Sequence, residues 1–211
     1  MDLGQWIMIG LSVILAIWFA GGFIYNRRRG ETISRWMVNG MKYLGEISDI
    51  AWIGSSASGG RMVVKDAKSP FRQVEAVFLL ESREILPIWI FNRIRGKTDE
   101  AIIKTDLHST PKEAIEITRY NYQKGQRLDP KTSQEGAPPG MIVSGFKILS
   151  SSKGLESDYS KISKFLEKYG SGVQKISIDR KKPHLILRLR LPNLLGEPPE
   201  AVFEALHEIV K

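Results

Sequence analysis

Between Leu3 and Tyr25 lie 23 consecutive residues without a charged side chain, LGQWIMIGLSVILAIWFAGGFIY. No other stretch constrains the chain as strongly. As a helix it reaches about 34 Å, enough to cross a hydrocarbon core of about 30 Å. Its most polar side chains are Gln5 and Ser12. Trp6 lies near one end, and Trp18, Phe23 and Tyr25 near the other, loosely an aromatic belt. Arg27, Arg28 and Arg29 follow directly. A secretory signal would have a basic start, a shorter apolar middle and a small-x-small cleavage site. Here the only side-chain charge before the apolar run is that of Asp2, and Ala20-Gly21-Gly22 is a poor cleavage site. The expectation is therefore an uncleaved, single-pass transmembrane anchor over residues 1–25. The positive-inside rule then puts the amino terminus outside and the C-terminal domain in the cytoplasm of a cell membrane.

The charge balance agrees with that polarity. All 31 Lys and Arg follow the anchor, with 22 of the 23 acids, so residues 26–211 carry a net +9. Such a domain suits an anionic lipid face, nucleic acid or an acidic protein. Cysteine is absent, which excludes a disulfide framework and thiolate metal sites. Nucleic acid is the weakest of the three partners. No helix-turn-helix, RNA-recognition or zinc-finger signature is present, and the aromatics do not interleave with the basic runs.

Within the anchor, Ser12, Ala16 and Ala20 recur every fourth residue, a small-residue stripe on one helix face. A stripe of this kind lets a second helix approach closely. It makes self-association, or docking on a partner's membrane helix, an expectation for this chain. Small residues are also simply common in membrane helices.

Residues 26–45 read as a juxtamembrane amphipathic helix, either set off from the anchor or continuous with it. Gly30-Glu31-Thr32 can break and recap the preceding helix, and Ile33, Trp36, Met37, Met41 and Leu44 recur near helical spacing. That apolar face can lie on the membrane surface or pack on the domain. From 46 to 120 the pattern is β-rich. Ile47–Ile53 and Met62–Val64 flank a Gly/Ser run, Gly54 to Gly60, which lacks the Lys-Ser/Thr and the following helix of a phosphate-binding loop and reads as a hairpin turn. The alternation of Val74, Ala76, Phe78 and Leu80 marks a longer strand.

The second informative stretch is Glu84 to Lys97. Seven of the eight residues from Ile85 to Asn92 are apolar, including Trp89 and Phe91, and Arg93, Arg95 and Lys97 follow at once. The run is too short to cross a bilayer. It suits an element dipping into the headgroups, or a core helix or strand with its cations at the solvated end.

Residues 121–140, polar and rich in Gly and Pro, read as a linker or long loop. Residues 141–211 then read as an α+β subdomain: a strand over Met141–Leu149, a helix over Leu155–Tyr169, strands over Val173–Ile178 and His184–Leu191, and a last helix opened by Pro198 and Pro199. The fold class is α+β: a transmembrane helix, a mainly antiparallel β domain, and a C-terminal strand–helix–strand–strand–helix unit.

Catalytic chemistry is not legible. Asp106, His108 and Ser109 share one turn and cannot converge as a triad. Glu204 and His207 form a single Glu-x-x-His pair, where carboxylate-bridged metal sites use two with further glutamates. No catalytic residue, cofactor or metal ligand is assigned. The candidate membrane-interface residues are Arg27, Arg28, Arg29, Trp36, Trp89, Phe91, Arg93, Arg95 and Lys97; Ser12, Ala16 and Ala20 are the candidate helix-packing residues. The expected function is a non-catalytic interaction, scaffold or accessory module at the membrane surface. An enzyme acting on a lipid or another membrane-bound substrate and a membrane-tethered nucleic-acid binder are the alternatives.

Overall fold

The computed structural model describes residues 2–119, 141–143, 145–150 and 156–210. The expected linker, 121–140, lies outside them. Helix α1 runs unbroken from Leu3 to Leu44, with Asp2 and Gln5 closing a capping box at its start. At the helical rise its 42 residues span about 63 Å. Of the two readings at Gly30-Glu31-Thr32, a break or a continuous helix, the structure has the continuous helix. Gly30 is buried, with the backbone carbonyl of Ser56 and the side chain of Leu80 where a Cβ would stand. Tertiary packing outweighs the low helix propensity of glycine there.

Among the described residues the sheet has nine strands, all paired antiparallel, in the order β1-β2-β3-β4-β9-β8-β5-β7-β6. The strands are β1 (Asp49–Trp52), β2 (Gly59–Val64), β3 (Phe71–Leu79), β4 (Glu100–Leu107), β5 (Ile115–Arg119), β6 (Met141–Val143), β7 (Phe146–Ser150), β8 (Val173–Ile178) and β9 (Leu185–Arg190). The Gly/Ser run joins β1 to β2 as a hairpin. Met141–Leu149, expected as one strand, is instead the hairpin β6–β7, which turns at Gly145 with φ +79°. Strand β9 lies between β4 and β8, so both β-bearing stretches, 46–120 and 141–211, contribute to one sheet.

Alternation decides the layers. Val74, Ala76 and Phe78, Ala101 and Ile103, and Leu185, Leu187 and Leu189 are buried on one face. On that face α1 packs against α4 (Pro199–Val210), and α4 against α3 (Glu156–Tyr169). Alpha1 and α4 meet where Gly40 faces the ring of Phe203, too close to admit a Cβ. The opposite sheet face carries polar side chains and ion pairs, among them Arg61 with Glu75 and Lys175 with Glu116. An antiparallel sheet covered by helices on one side only is the expected outcome of such patterning.

Helix α1 also sets the direction of the sheet. Gly30 abuts Ser56 in the β1–β2 turn and Leu80 just past β3, while Gly45 abuts Val64 at the far end of β2. The ends of β3, β5 and β9 at Leu79, Arg119 and Arg190 therefore lie towards the exposed part of α1. The β8–β9 turn, with Arg180, Lys181 and Lys182, lies at the opposite end.

Candidate membrane-contacting surface

Helix α1 contains no buried residue before Asn26, and its 3–17 segment is exposed throughout. It is the one helix among the described residues with the length and composition to cross a membrane. From Trp18 onward one face turns towards the domain: Trp18 and Gly22, then Asn26, Gly30, Ile33, Met37 and Met41.

Against the upper part of that face lies α2, Leu86–Ile94. Trp18 and Trp89 pack with ring centroids 5.2 Å apart, and Trp18 Nε1 donates to the carbonyl of Arg83 at 2.9 Å. Gly22 is what lets the Arg83–Glu84 backbone in: a Cβ there would sit 2.7 Å from the Arg83 oxygen and from Glu84 Cα. Leu86, Trp89 and Asn92 face inward and are half-buried. The outward face is apolar. Ile88, Ile90, Phe91 and Ile94 are exposed, Phe91 at 52 % and Ile94 at 78 %. The core alternative for this stretch is thus corrected: α2 has no buried residue. A surface helix ordinarily points its apolar face at the domain and its polar face at water. Here the outward face is apolar as well as the inward one.

A charge knot fastens the junction. Asp99 is fully buried and receives Arg83 in a bidentate pair, Nη1 to Oδ1 at 2.8 Å and Nη2 to Oδ2 at 3.2 Å. Arg29 Nε reaches Oδ2 at 3.2 Å, and the backbone N–H of Glu81 donates to Oδ1 at 3.0 Å. Asn26, also fully buried, donates to the carbonyl of Glu81 and to Glu84 Oε2, and accepts from Arg83 Nη1. Burial would raise the Asp99 carboxyl. The hydrogen bonds and charge of Arg83, with the Glu81 N–H and Arg29, outweigh it and hold the pKa below the usual range. Glu81 goes the other way: burial raises it, Asp99 adds to the rise, and Arg83 and Arg93 oppose it.

The sequence-selected residues divide accordingly. Trp89 and Phe91 sit together on α2 beside α1. Arg27 and Arg28 are exposed just below the apolar segment, Arg27 within 3.6 Å of Glu31. Arg29 is taken up by Asp99. Arg93, Arg95 and Lys97 are exposed, with the Arg95 guanidinium 4.0 Å above the Phe91 ring. Trp36 is a correction. It is 8 % exposed, packs on Phe203 and donates to the carbonyl of Glu197, so it belongs to the core under α4. The whole apolar face Ile33, Trp36, Met37, Met41 and Leu44 does the same. Ser12, Ala16 and Ala20 are exposed, and Ser12 Oγ bonds back to Met8 O at 2.9 Å. Ala16 is two residues from Trp18, which puts the stripe roughly opposite the α2-facing side.

Sequence reasoning missed Asn26, Arg83 and Asp99. Only Asn26 left a trace, as an amide closing the apolar run. The histidines serve the fold: His184 Nδ1 accepts from the N–H of Leu107, and His207 Nε2 meets Ser69 O at 2.6 Å between Tyr43 and Phe71. No family model matches the chain, and no curated protein matches it in sequence.

Proposed function

We propose that this chain is a single-pass membrane protein, amino terminus outside, whose basic C-terminal domain lies on the cytoplasmic membrane surface as a non-catalytic accessory or scaffold module. The observation that carries the reading is the outward-facing apolar surface of α2, held against Trp18 of the apolar helix, with the Arg83–Glu84 backbone seated on Gly22 just before it. Lipid is the natural cover for both. With α1 upright in a bilayer, α2 lies at the level of the interface, and Arg27 and Arg28 meet the headgroups on the inner side. The small-residue stripe points away from α2 and remains free for another membrane helix. A lipid-modifying enzyme would ask for a deep polar pocket beside α2. The concavity there is shallow and open, and its lining is mostly cationic, which suits binding better than catalysis.

The chain has no cysteine, so single-cysteine variants label uniquely. Spin labels at positions 91 and 94 in the reconstituted full chain are expected to be accessible to oxygen and shielded from a water-soluble relaxation agent. A label at 181 should behave oppositely. Equal water accessibility at all three sites defeats the reading. Gentle solubilisation should also return a partner or a self-associated form; a bare monomer counts against the accessory role.

A further inference from the structure

Two basic clusters that are far apart in sequence meet a third element at the α2 end of the sheet. Arg95 and Lys97 follow α2, Arg119 closes β5 and Arg190 closes β9. Together with Gly96, Glu100 and Gln174 they line one open concavity of about 270 Å³. It holds four cations and one carboxylate, and that carboxylate, Glu100, already accepts from Gln174 Nε2 at 3.1 Å.

Among the described residues neither sheet arginine has an ion-pair partner within 4 Å, although Glu100 stands opposite Arg190 in the sheet. Arg119 spends donors on carbonyls only, those of Val173 and Gly170, and its guanidinium lies 5.2 Å from the Phe146 ring. Arg190 Nε is buried and has no hydrogen-bond partner among the described residues. A buried donor without an acceptor destabilises a fold, and like charges around one hollow add to that. Burial, and then the charge of Arg190, also hold the Arg119 guanidinium below its ordinary pKa. Such an arrangement is stabilised by an anion that presents several oxygens. A guanidinium fork fits phosphate in particular, because its N–H groups match two oxygens at once.

We propose that Arg95, Lys97, Arg119 and Arg190 form a phosphate-binding site that takes the headgroup phosphate of an anionic phospholipid. The lipid source rests on the membrane-surface reading above: the hollow adjoins the C-terminal end of α2, at the depth where headgroup phosphates lie. The third basic cluster, Arg180 to Lys182, is at the other end of the sheet and takes no part.

The test uses the full chain in nanodiscs at fixed ionic strength, neutral phosphatidylcholine against the same lipid doped with phosphatidic acid. Thermal unfolding and the lipid retained in native mass spectrometry are the readouts. Phosphatidic acid is expected to raise the unfolding temperature and to be retained at one site. Arg190→Gln, and separately Arg95→Gln with Lys97→Gln, should each weaken retention about fivefold or more, on the scale of one cation at an anionic surface. Arg180→Gln with Lys181→Gln should leave it unchanged. In neutral discs Arg190→Gln should unfold no lower than the parent, because it removes an uncompensated donor; a purely structural arginine would lower it. Indifference to phosphatidic acid, or equal weakening by the distal pair, overturns the site. Full stabilisation by inorganic phosphate in neutral discs, with no preference among lipids, overturns the lipid source and so the proposal as stated. A chain that does not enter discs at all sinks the membrane reading and this site with it, whereas insertion without lipid preference sinks the site alone.

Discussion

Replacing Asp99 with asparagine tests whether the charge knot fixes the apolar helix to the domain. The change keeps size and shape, and an amide oxygen can still accept from the Glu81 N–H. What disappears is the negative charge facing Arg83 and Arg29. Removing one partner of a buried ion pair costs about 3–5 kcal/mol, because the other charge is left without compensation. Arg83 and Arg29 keep 18 % and 26 % of their side-chain surface exposed, so water recovers part of that loss. The lower end, about 3 kcal/mol, is therefore the expected destabilisation. The assay is denaturant unfolding of the full chain in nanodiscs followed by tryptophan fluorescence, since Trp18 and Trp89 both sit at the junction. The pH dependence gives an independent check. A carboxylate whose folded pKa is lowered contributes stability that is whole above its unfolded value of about 3.9 and is lost as pH falls through the folded value. The parent should lose that contribution in acid, and Asp99→Asn should lack that part of the acid-side slope. A cost below about 1 kcal/mol, the worth of an exposed surface pair, would refute the reasoning, as would an unchanged acid limb.

The remaining predictions separate core from surface. Gly22→Ala drives a methyl into the Arg83–Glu84 backbone and should cost about 1–3 kcal/mol, with altered Trp18–Trp89 emission but unimpaired membrane insertion. Trp36→Ala should cost about 3–5 kcal/mol, as for a buried aromatic; a change within about 0.5 kcal/mol would return Trp36 to the surface. Phe91→Ser with Ile94→Ser should leave domain stability within about 0.5 kcal/mol, because neither side chain is buried by the protein. The same pair should reduce quenching of Trp89 by brominated lipid, and unchanged quenching would argue against lipid contact at α2.

What could be read from the sequence follows the range of the forces involved. The apolar helix, the β1–β2 hairpin and the C-terminal helix–strand–strand–helix order come from local periodicity and turn chemistry, which neighbouring residues carry, whereas the β6–β7 hairpin read as one strand. Residues 86–94 are ambiguous in sequence because a short apolar run does not say which side faces protein; only the packing of Trp89 on Trp18 settles that. Trp36 carried the composition of an interfacial residue, yet α4, more than 150 positions later, covers it. The charge knot was out of reach altogether. Arg29, Arg83 and Asp99 are ordinary charged residues until three segments bring them together, and no spacing rule links positions so far apart. The same holds for the cationic hollow, whose lining comes from the turn after α2 and from β4, β5, β8 and β9.

An anchor joined to its domain by a flexible linker sets only a local concentration. This chain has no such linker: the residues that pack the core, from Ile33 to Leu44, belong to the same helix as the apolar segment. A continuous helix transmits tilt and rotation, and the bolts at Gly22, Asn26 and Asp99 add a second fixed line through residues 81–84, just before α2. In a bilayer these two attachments would leave the domain little freedom to turn about α1. One rim of the sheet, with α2 and the hollow of Arg119 and Arg190, would then face the lipid permanently, while the Arg180–Lys182 turn faces away. The coupling works in both directions. In a bilayer, whatever bound the upper rim would change the energy of tilting α1, and a helix docked on the Ser12–Ala16–Ala20 side would change how the rim meets the headgroups. Weakening the Asp99 knot should therefore uncouple the two, so that lipid composition no longer alters the accessibility of labels placed at Ser12.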